Sequence, residues 1–232
     1  MSVSTTSVAA ACWNCGAPTS GEHFCSACGK VQPLPRDADY FAFFGLPQKL
    51  GIDAADLEQR FHALSWKLHP DNFVRATEAE RKLSLERSSQ LNDAYRTLAD
   101  PIARVEYLLE REGMRKEGQQ KQQAPPELLE EVFELNESLD ELRSARQAGG
   151  DAAEMARLTK TLESAEKHFL EKLEGVDAEL NALFVSWDAA LDASADASAR
   201  RKLLDRMNAA LNRRSYIRNL VAGVQKELAE SN

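Results

Sequence analysis

The 232-residue sequence predicts an all-α protein in which a small metal-binding module precedes a helical hairpin and a C-terminal helical bundle. Three observations carry that expectation. Apolar residues recur at three- and four-residue steps through most of the chain, with no alternating strand pattern and no internal repeat. Proline, glycine and capping residues cut this pattern into separate helices. All four cysteines fall within the first 28 residues.

The cysteines form two C-x-x-C-G units, Cys12-Trp-Asn-Cys15-Gly and Cys25-Ser-Ala-Cys28-Gly, with nine residues between them. That spacing lets two tight turns direct four thiolates at one tetrahedral ion. Each following glycine permits the backbone conformation that leaves such a turn, and a unit this small has too little core to fold without its metal. One structural zinc ion on Cys12, Cys15, Cys25 and Cys28 is the expectation, with a redox dithiol or an iron site as alternatives. His23 lies between the two halves, but four cysteines already complete the shell. Trp13 and Phe24 are expected to cover the site.

Residues 1–11 read as a flexible tail and 12–33 as the cysteine module, after which VQPLPRDADY contains two prolines that keep the backbone extended. A second domain is expected over 37–113. Its clearest helix runs from about Ala54 to Leu68, with Leu57, Phe61, Leu64 and Leu68 on one face, and Pro70 ends it. Another spans about Thr77 to Leu98, with Leu91, Ala94, Tyr95 and Leu98 inward, so that the two pack as an antiparallel pair. A further helix has Asp100 as N-cap, Pro101 at its first position and Gly113 beyond its end. Residues 114–126 are polar and aperiodic, a linker, and 127–232 form the bundle, with breaks expected at AGGD, EGVD and DASADAS.

Composition narrows the function. A net charge of −8 argues against nucleic acid, whose binding rests on cationic neutralisation of phosphates. No stretch approaches the roughly 20 consecutive apolar residues of a membrane span. The opening MSVSTTSVAAA has neither the basic start nor the apolar run of a secretory signal, and a cytoplasmic location is expected.

The loop between the paired helices reads His69-Pro70-Asp71. No nucleophile motif, phosphate-binding glycine loop or second acidic pair accompanies it, and no other histidine or cysteine is spaced to join His69 at a metal, so an enzyme is not expected. The stretch from Asp39 to Leu109, with DYFAFFGL, LEQRFHALSWKLHPDNF and LNDAYRTLADPIARVEYLL, resembles a J domain. The resemblance implies docking on a DnaK/HscA-type ATPase chaperone through His69, Pro70 and Asp71 together with the cations Arg60 and Lys67 of the second helix. Proline stiffens the turn, and the Asp71 carboxylate is available to an arginine of the partner.

In the bundle, Leu128, Val132, Leu135, Leu139 and Leu142 form a core stripe, whereas Leu129 and Phe133 sit about 100° or more off it, at about 100° per residue. They form an exposed strip beside Glu130, Glu134, Glu137 and Glu141, unless a neighbouring helix covers them. In the last helix, Ile217, Val221, Val224 and Leu228 make a core stripe and Tyr216 lies to one side. The run Arg200, Arg201, Lys202, Arg206, Arg213, Arg214 and Arg218 reads as a solvated face or a complement to the acidic helix.

CWNCG, the DYF start, FELNESLDEL and RRSYIRNL together resemble the HscB family of J-type co-chaperones of iron–sulfur cluster assembly. The resemblance covers nearly the whole chain. It implies that the bundle binds an IscU-type iron–sulfur scaffold protein through Leu129, Phe133, Glu134, Glu137 and Tyr216. Two features depart from the family's pattern: the segment from about Val176 to Ala199 is longer than usual, and Glu130 occupies a position that is often apolar. The function expected is a non-enzymatic adaptor that stimulates the chaperone's ATPase and delivers the scaffold to it. A general folding co-chaperone and a zinc-dependent nucleic-acid-binding protein are the rival readings.

Overall fold

The computed structural model describes residues 10–19, 21–34, 38–115 and 125–230. Most of the expected tail and linker, and the expected domain start at Asp37, lie outside these residues. The chain forms two compact units, residues 1–107 and 108–232. The described residues carry seven α-helices and one two-stranded ribbon.

In the first unit, β1 (Ala10–Ala11) pairs antiparallel with β2 (Pro18–Thr19). The short helix α1 (Tyr40–Phe43) starts at Asp39, whose carboxylate accepts the Phe41 N–H at 3.0 Å. Helix α2 (Ala54–Leu68) is capped by Asp53 and ends at His69, which adopts extended backbone angles before Pro70, as the residue preceding a proline must. Helix α3 (Glu78–Ala99) opens with a reciprocal capping box between Thr77 and Glu80. Helix α4 (Pro101–Arg111), whose last four residues belong to the second unit, is capped by Asp100, whose carboxylate accepts the Ala103 N–H at 2.7 Å.

Helices α2 and α3 form the expected hairpin around Phe41, Phe43, Phe44, Leu57, Leu68, Leu91, Ala94 and Leu98, with Phe61 stacked on Tyr95. Val31, from beyond the second cysteine pair, is buried in the same core. Phe24, the residue before Cys25, packs against this core as well. Trp13 turns its indole N–H to the Val31 carbonyl at 2.7 Å.

The second unit consists of α5 (Leu129–Ala148), α6 (Ala152–Asp192) and α7 (Ala197–Ala229). The expected breaks occur at AGGD, where Gly149 takes a left-handed conformation, and at DASADAS, where the chain turns over 193–196. The break expected at EGVD does not occur: α6 runs unbroken through Gly175. A helical glycine costs about 1 kcal/mol relative to alanine, and burial of Phe169, Val176, Leu180 and Leu183 on either side outweighs it. The long segment around Val176–Ala199 is therefore mostly helix, the end of α6 and the start of α7.

Candidate functional site

The two cysteine turns repeat one hydrogen-bond pattern. Gly16 N–H donates to Cys12 O at 2.9 Å and Gly29 N–H to Cys25 O at 2.8 Å, while Cys12 N–H donates to Ala17 O and Cys25 N–H to Lys30 O, both at 2.8 Å. Gly16 and Gly29 have φ of +73° and +70°, the left-handed region that glycine enters freely. The turns bring all four sulfurs within 4.8 Å of one another. Cys12 and Cys28 Sγ are 3.7 Å apart, and Cys15 and Cys25 Sγ 3.8 Å. Metal–sulfur bonds of about 2.3 Å in a tetrahedron place neighbouring sulfurs about 3.8 Å apart, so the donor set fits one tetrahedral ion. Asn14 N–H and the buried Gln32 amide each donate to Cys12 Sγ at 3.4 Å. Burial disfavours the Cys12 thiolate, but backbone donors draw its pKa down to about 6. Cys15 is pushed up to about 12: its backbone donor at Ala17 is outweighed by the neighbouring sulfurs, Cys28 foremost. Thiolates this close need a cation between them.

The module is bonded to α1 and α3 at three points. His23 Nε2 lies 2.8 Å from Phe43 O, and Nδ1 faces the Arg87 guanidinium. Burial, reinforced by Arg87, holds the His23 pKa below its usual 6.5, so the neutral ring donates from Nε2 to Phe43 and accepts from Arg87 at Nδ1. Arg87 is only 1% exposed, lies over the Phe43 ring at 4.6 Å from its centroid and donates to Gln90 Oε1 at 3.2 Å. Burial pulls its pKa down to about 10. Lys30 Nζ is 2.8 Å from Glu80 Oε1, and the other oxygen of Glu80 closes the capping box of α3. Lys30 is thus the counter-ion of a buried cap, and its hydrogen bond lowers the Glu80 pKa.

After α2 the chain makes a 3-10 turn, Pro70–Phe73. His69 caps it, Nδ1 accepting the Asp71 N–H at 3.3 Å, and Asn72 Nδ2 reaches back to Trp66 O at 2.6 Å. The Leu68 carbonyl accepts two hydroxyls from α3, Ser84 at 2.7 Å and Ser88 at 3.0 Å. The turn is anchored from below while the Asp71 side chain is 85% exposed. Lys67 is exposed with no ion pair among the described residues. Arg60 differs: its guanidinium bonds Asp56 Oδ2 and Phe44 O, both at 2.9 Å, and ties α2 to the end of α1.

On α5, Leu135 and Leu142 are buried and Val132 and Leu139 half-buried, whereas Leu129 is 54% and Phe133 64% exposed. No neighbouring helix covers them within the described residues. Glu130, Glu134, Glu137 and Glu141 are all exposed with no ion pair among the described residues. Arg213–Glu127 at 3.8 Å and Arg143–Glu227 at 2.9 Å hold α7 parallel to α5 and nearly in register. Tyr216, three residues after Arg213, therefore stands level with Leu129 and Phe133, and it is half-buried. Arg213 and Arg214 also pair with Glu179 and Asp177, so part of the basic run complements α6 as well as the acidic start of α5.

No protein-family model matches the chain. A Vibrio cholerae co-chaperone protein HscB homolog is 38% identical over 137 residues, 59% of this chain and 78% of its own length. The iron-sulfur cluster co-chaperone protein HscB of Mus musculus is 32% identical over 171 residues, 72% of this chain and 70% of its own. The chain belongs to the HscB co-chaperone family. The crystal structure of human co-chaperone protein HscB has the same fold, with a TM-score of 0.59 at 23% identity over 94% of this chain and 98% of that one.

Within this HscB family member, sequence reasoning located the four cysteines, the His69–Asp71 turn and the Leu129–Phe133 strip. It missed the residues that hold the cysteine module and the turn in place: Lys30, His23, Arg87, Ser84 and Ser88. Two signals were available. Thr77-x-x-Glu80 is a capping-box pattern, and Ser84 and Ser88, four apart, interrupt the inward face of α3 with hydroxyls. No helix in the described residues is long and apolar enough to cross a membrane.

Proposed function

We propose that this chain is a J-type co-chaperone of iron–sulfur cluster assembly that stimulates the ATPase of a DnaK/HscA-type chaperone and delivers an IscU-type scaffold protein to it. The observation that carries the reading is the His69-Pro70-Asp71 turn, rigidly backed by Leu68, Ser84 and Ser88 yet presenting the Asp71 carboxylate to solvent. An exposed carboxylate on a fixed turn suits a charge-assisted pair with a partner arginine. Lys67 adds a free cation beside it, while Arg60, bonded to Asp56 and Phe44, contributes mainly by shaping α2. The work is docking, with bond-breaking left to the chaperone.

The J domain in this reading spans 37–113 and the scaffold-binding bundle 127–232, joined by the linker 114–126, all in the cytoplasm. Leu129, Phe133 and Tyr216 supply the apolar contact and Glu134 and Glu137 its charged rim. Four sulfur donors in a closed set favour one structural zinc ion, which metal analysis of protein purified without added zinc tests. Single-turnover ATP hydrolysis by the chaperone tests the main reading. Wild type accelerates it, the scaffold adds to the effect, and Asp71→Asn or His69→Gln abolishes it with helicity intact. Undiminished stimulation by Asp71→Asn overturns the assignment.

A further inference from the structure

We propose that the cysteine module is a brace for the chaperone-docking turn, so that the bound metal controls how firmly His69, Pro70 and Asp71 are held. This rests on the reading above. The path is short and continuous. The Cys25–Cys28 turn hands the chain directly to Lys30 and Val31; Lys30 reaches the Glu80 cap at the start of α3, and Val31 is buried in the core cluster that also holds Leu68 and Leu91. Four residues after Glu80, Ser84 holds the Leu68 carbonyl, one residue before His69. The N-terminal end of α3 is thus gripped by the module on one side and grips the docking turn on the other.

Arg87 supplies a second, independent link. It is a buried guanidinium with no carboxylate partner among the described residues; its company is the Phe43 ring, Gln90 and the lone pair of His23. Removing His23 leaves that charge, on a side chain only 1% exposed, short of an acceptor, a costly arrangement. His23 sits two residues before Cys25 and keeps its place only while the second cysteine turn is formed. Metal binding folds the turns, the folded turns place His23, Lys30 and Val31, and these secure α3.

Hydrogen exchange on the full chain tests this without reference to activity. Chelation under reducing conditions is expected to speed exchange about tenfold or more over 69–91, because the links that oppose local opening are lost, and to leave 129–229 unchanged. Should the metal-free unit unfold outright, Lys30→Met, which keeps all four cysteines, reads the same coupling: metal content stays at wild type while exchange at 69–84 rises several-fold. Chaperone ATPase stimulation falls in parallel for both. Unaltered exchange over 69–91 in metal-free protein, or in Lys30→Met, overturns the brace. A metal-loaded wild type that fails to stimulate the chaperone overturns the functional reading instead, and the exchange data still decide the brace.

Discussion

The Ser84 hydroxyl donates to the Leu68 carbonyl at 2.7 Å, and this bond ties the N-terminal part of α3 to the last residue of α2, where the His69–Phe73 turn begins. Leu68 closes α2, so its carbonyl has no partner within the helix and is fully buried. Ser88 shares it at 3.0 Å. Ser84→Ala is expected to cost about 1 kcal/mol, and the double change with Ser88→Ala about 1–3 kcal/mol, the cost of an unsatisfied buried carbonyl. Thermal melts measure the loss, and hydrogen exchange at Asp71 and Asn72 shows whether the turn loosens with it.

Phe133 and Tyr216 separate binding from stability. Phe133 is 64% exposed, so Phe133→Ala is expected to change stability by no more than about 0.5 kcal/mol. If it anchors the scaffold, losing about 2 kcal/mol of binding lowers affinity roughly thirtyfold. Tyr216 is half-buried, and Tyr216→Ala should lower both affinity and melting temperature. Calorimetric titration of the scaffold checks the first effect and thermal melts the second; full-strength binding by the double variant removes the patch.

Gly175 lies in the interior of α6 on its solvent face, and a methyl group there meets nothing within 4 Å. Gly175→Ala is expected to stabilise the protein by about 0.5–1 kcal/mol, since alanine restricts the unfolded chain and suits the helix. Chemical denaturation measures it. No change in midpoint would mean that α6 bends or frays at this residue in solution.

Glu227 carries a pH dependence. Its hydrogen bond from Arg143 lowers its pKa below the ordinary 4.5, although burial acts the other way. The unfolded chain then binds this proton more readily than the folded one, so the stabilisation is complete above about pH 4.5 and fades as pH falls through the lowered folded value. Arg143 is half exposed, so solvent screens the pair and its contribution is small. Glu227→Gln should lower the melting temperature at pH 7 and narrow the gap to wild type below pH 4, as melts across that range would show.

Much of the architecture follows from local pattern. The spacing of the cysteines dictates two turns with glycine exits, Asp53, Thr77 and Asp100 dictate where three helices start, and Pro70 dictates where α2 stops. These are short-range effects, settled within a few residues by backbone sterics and capping. The exposure of Leu129 and Phe133 could also be read as an angular departure from the core stripe, although periodicity alone did not say whether another helix lay over them.

What tertiary structure decided was every outcome that depends on residues far apart in the chain. Gly175 stays helical because distant packing against α5 and α7 outweighs its local cost. Arg60 reads as a free cation in sequence but donates to the carbonyl of Phe44, beyond the end of α1. Phe24 and Val31 join the hairpin core, and His23 and Lys30 tie the cysteine module to a helix that begins nearly fifty residues after Lys30. Sequence alone determined which groups could bind a metal or present a carboxylate, because spacing of three or four residues suffices for that. Which groups hold them in place was set by burial, where a polar atom must find its partner wherever the chain has brought one.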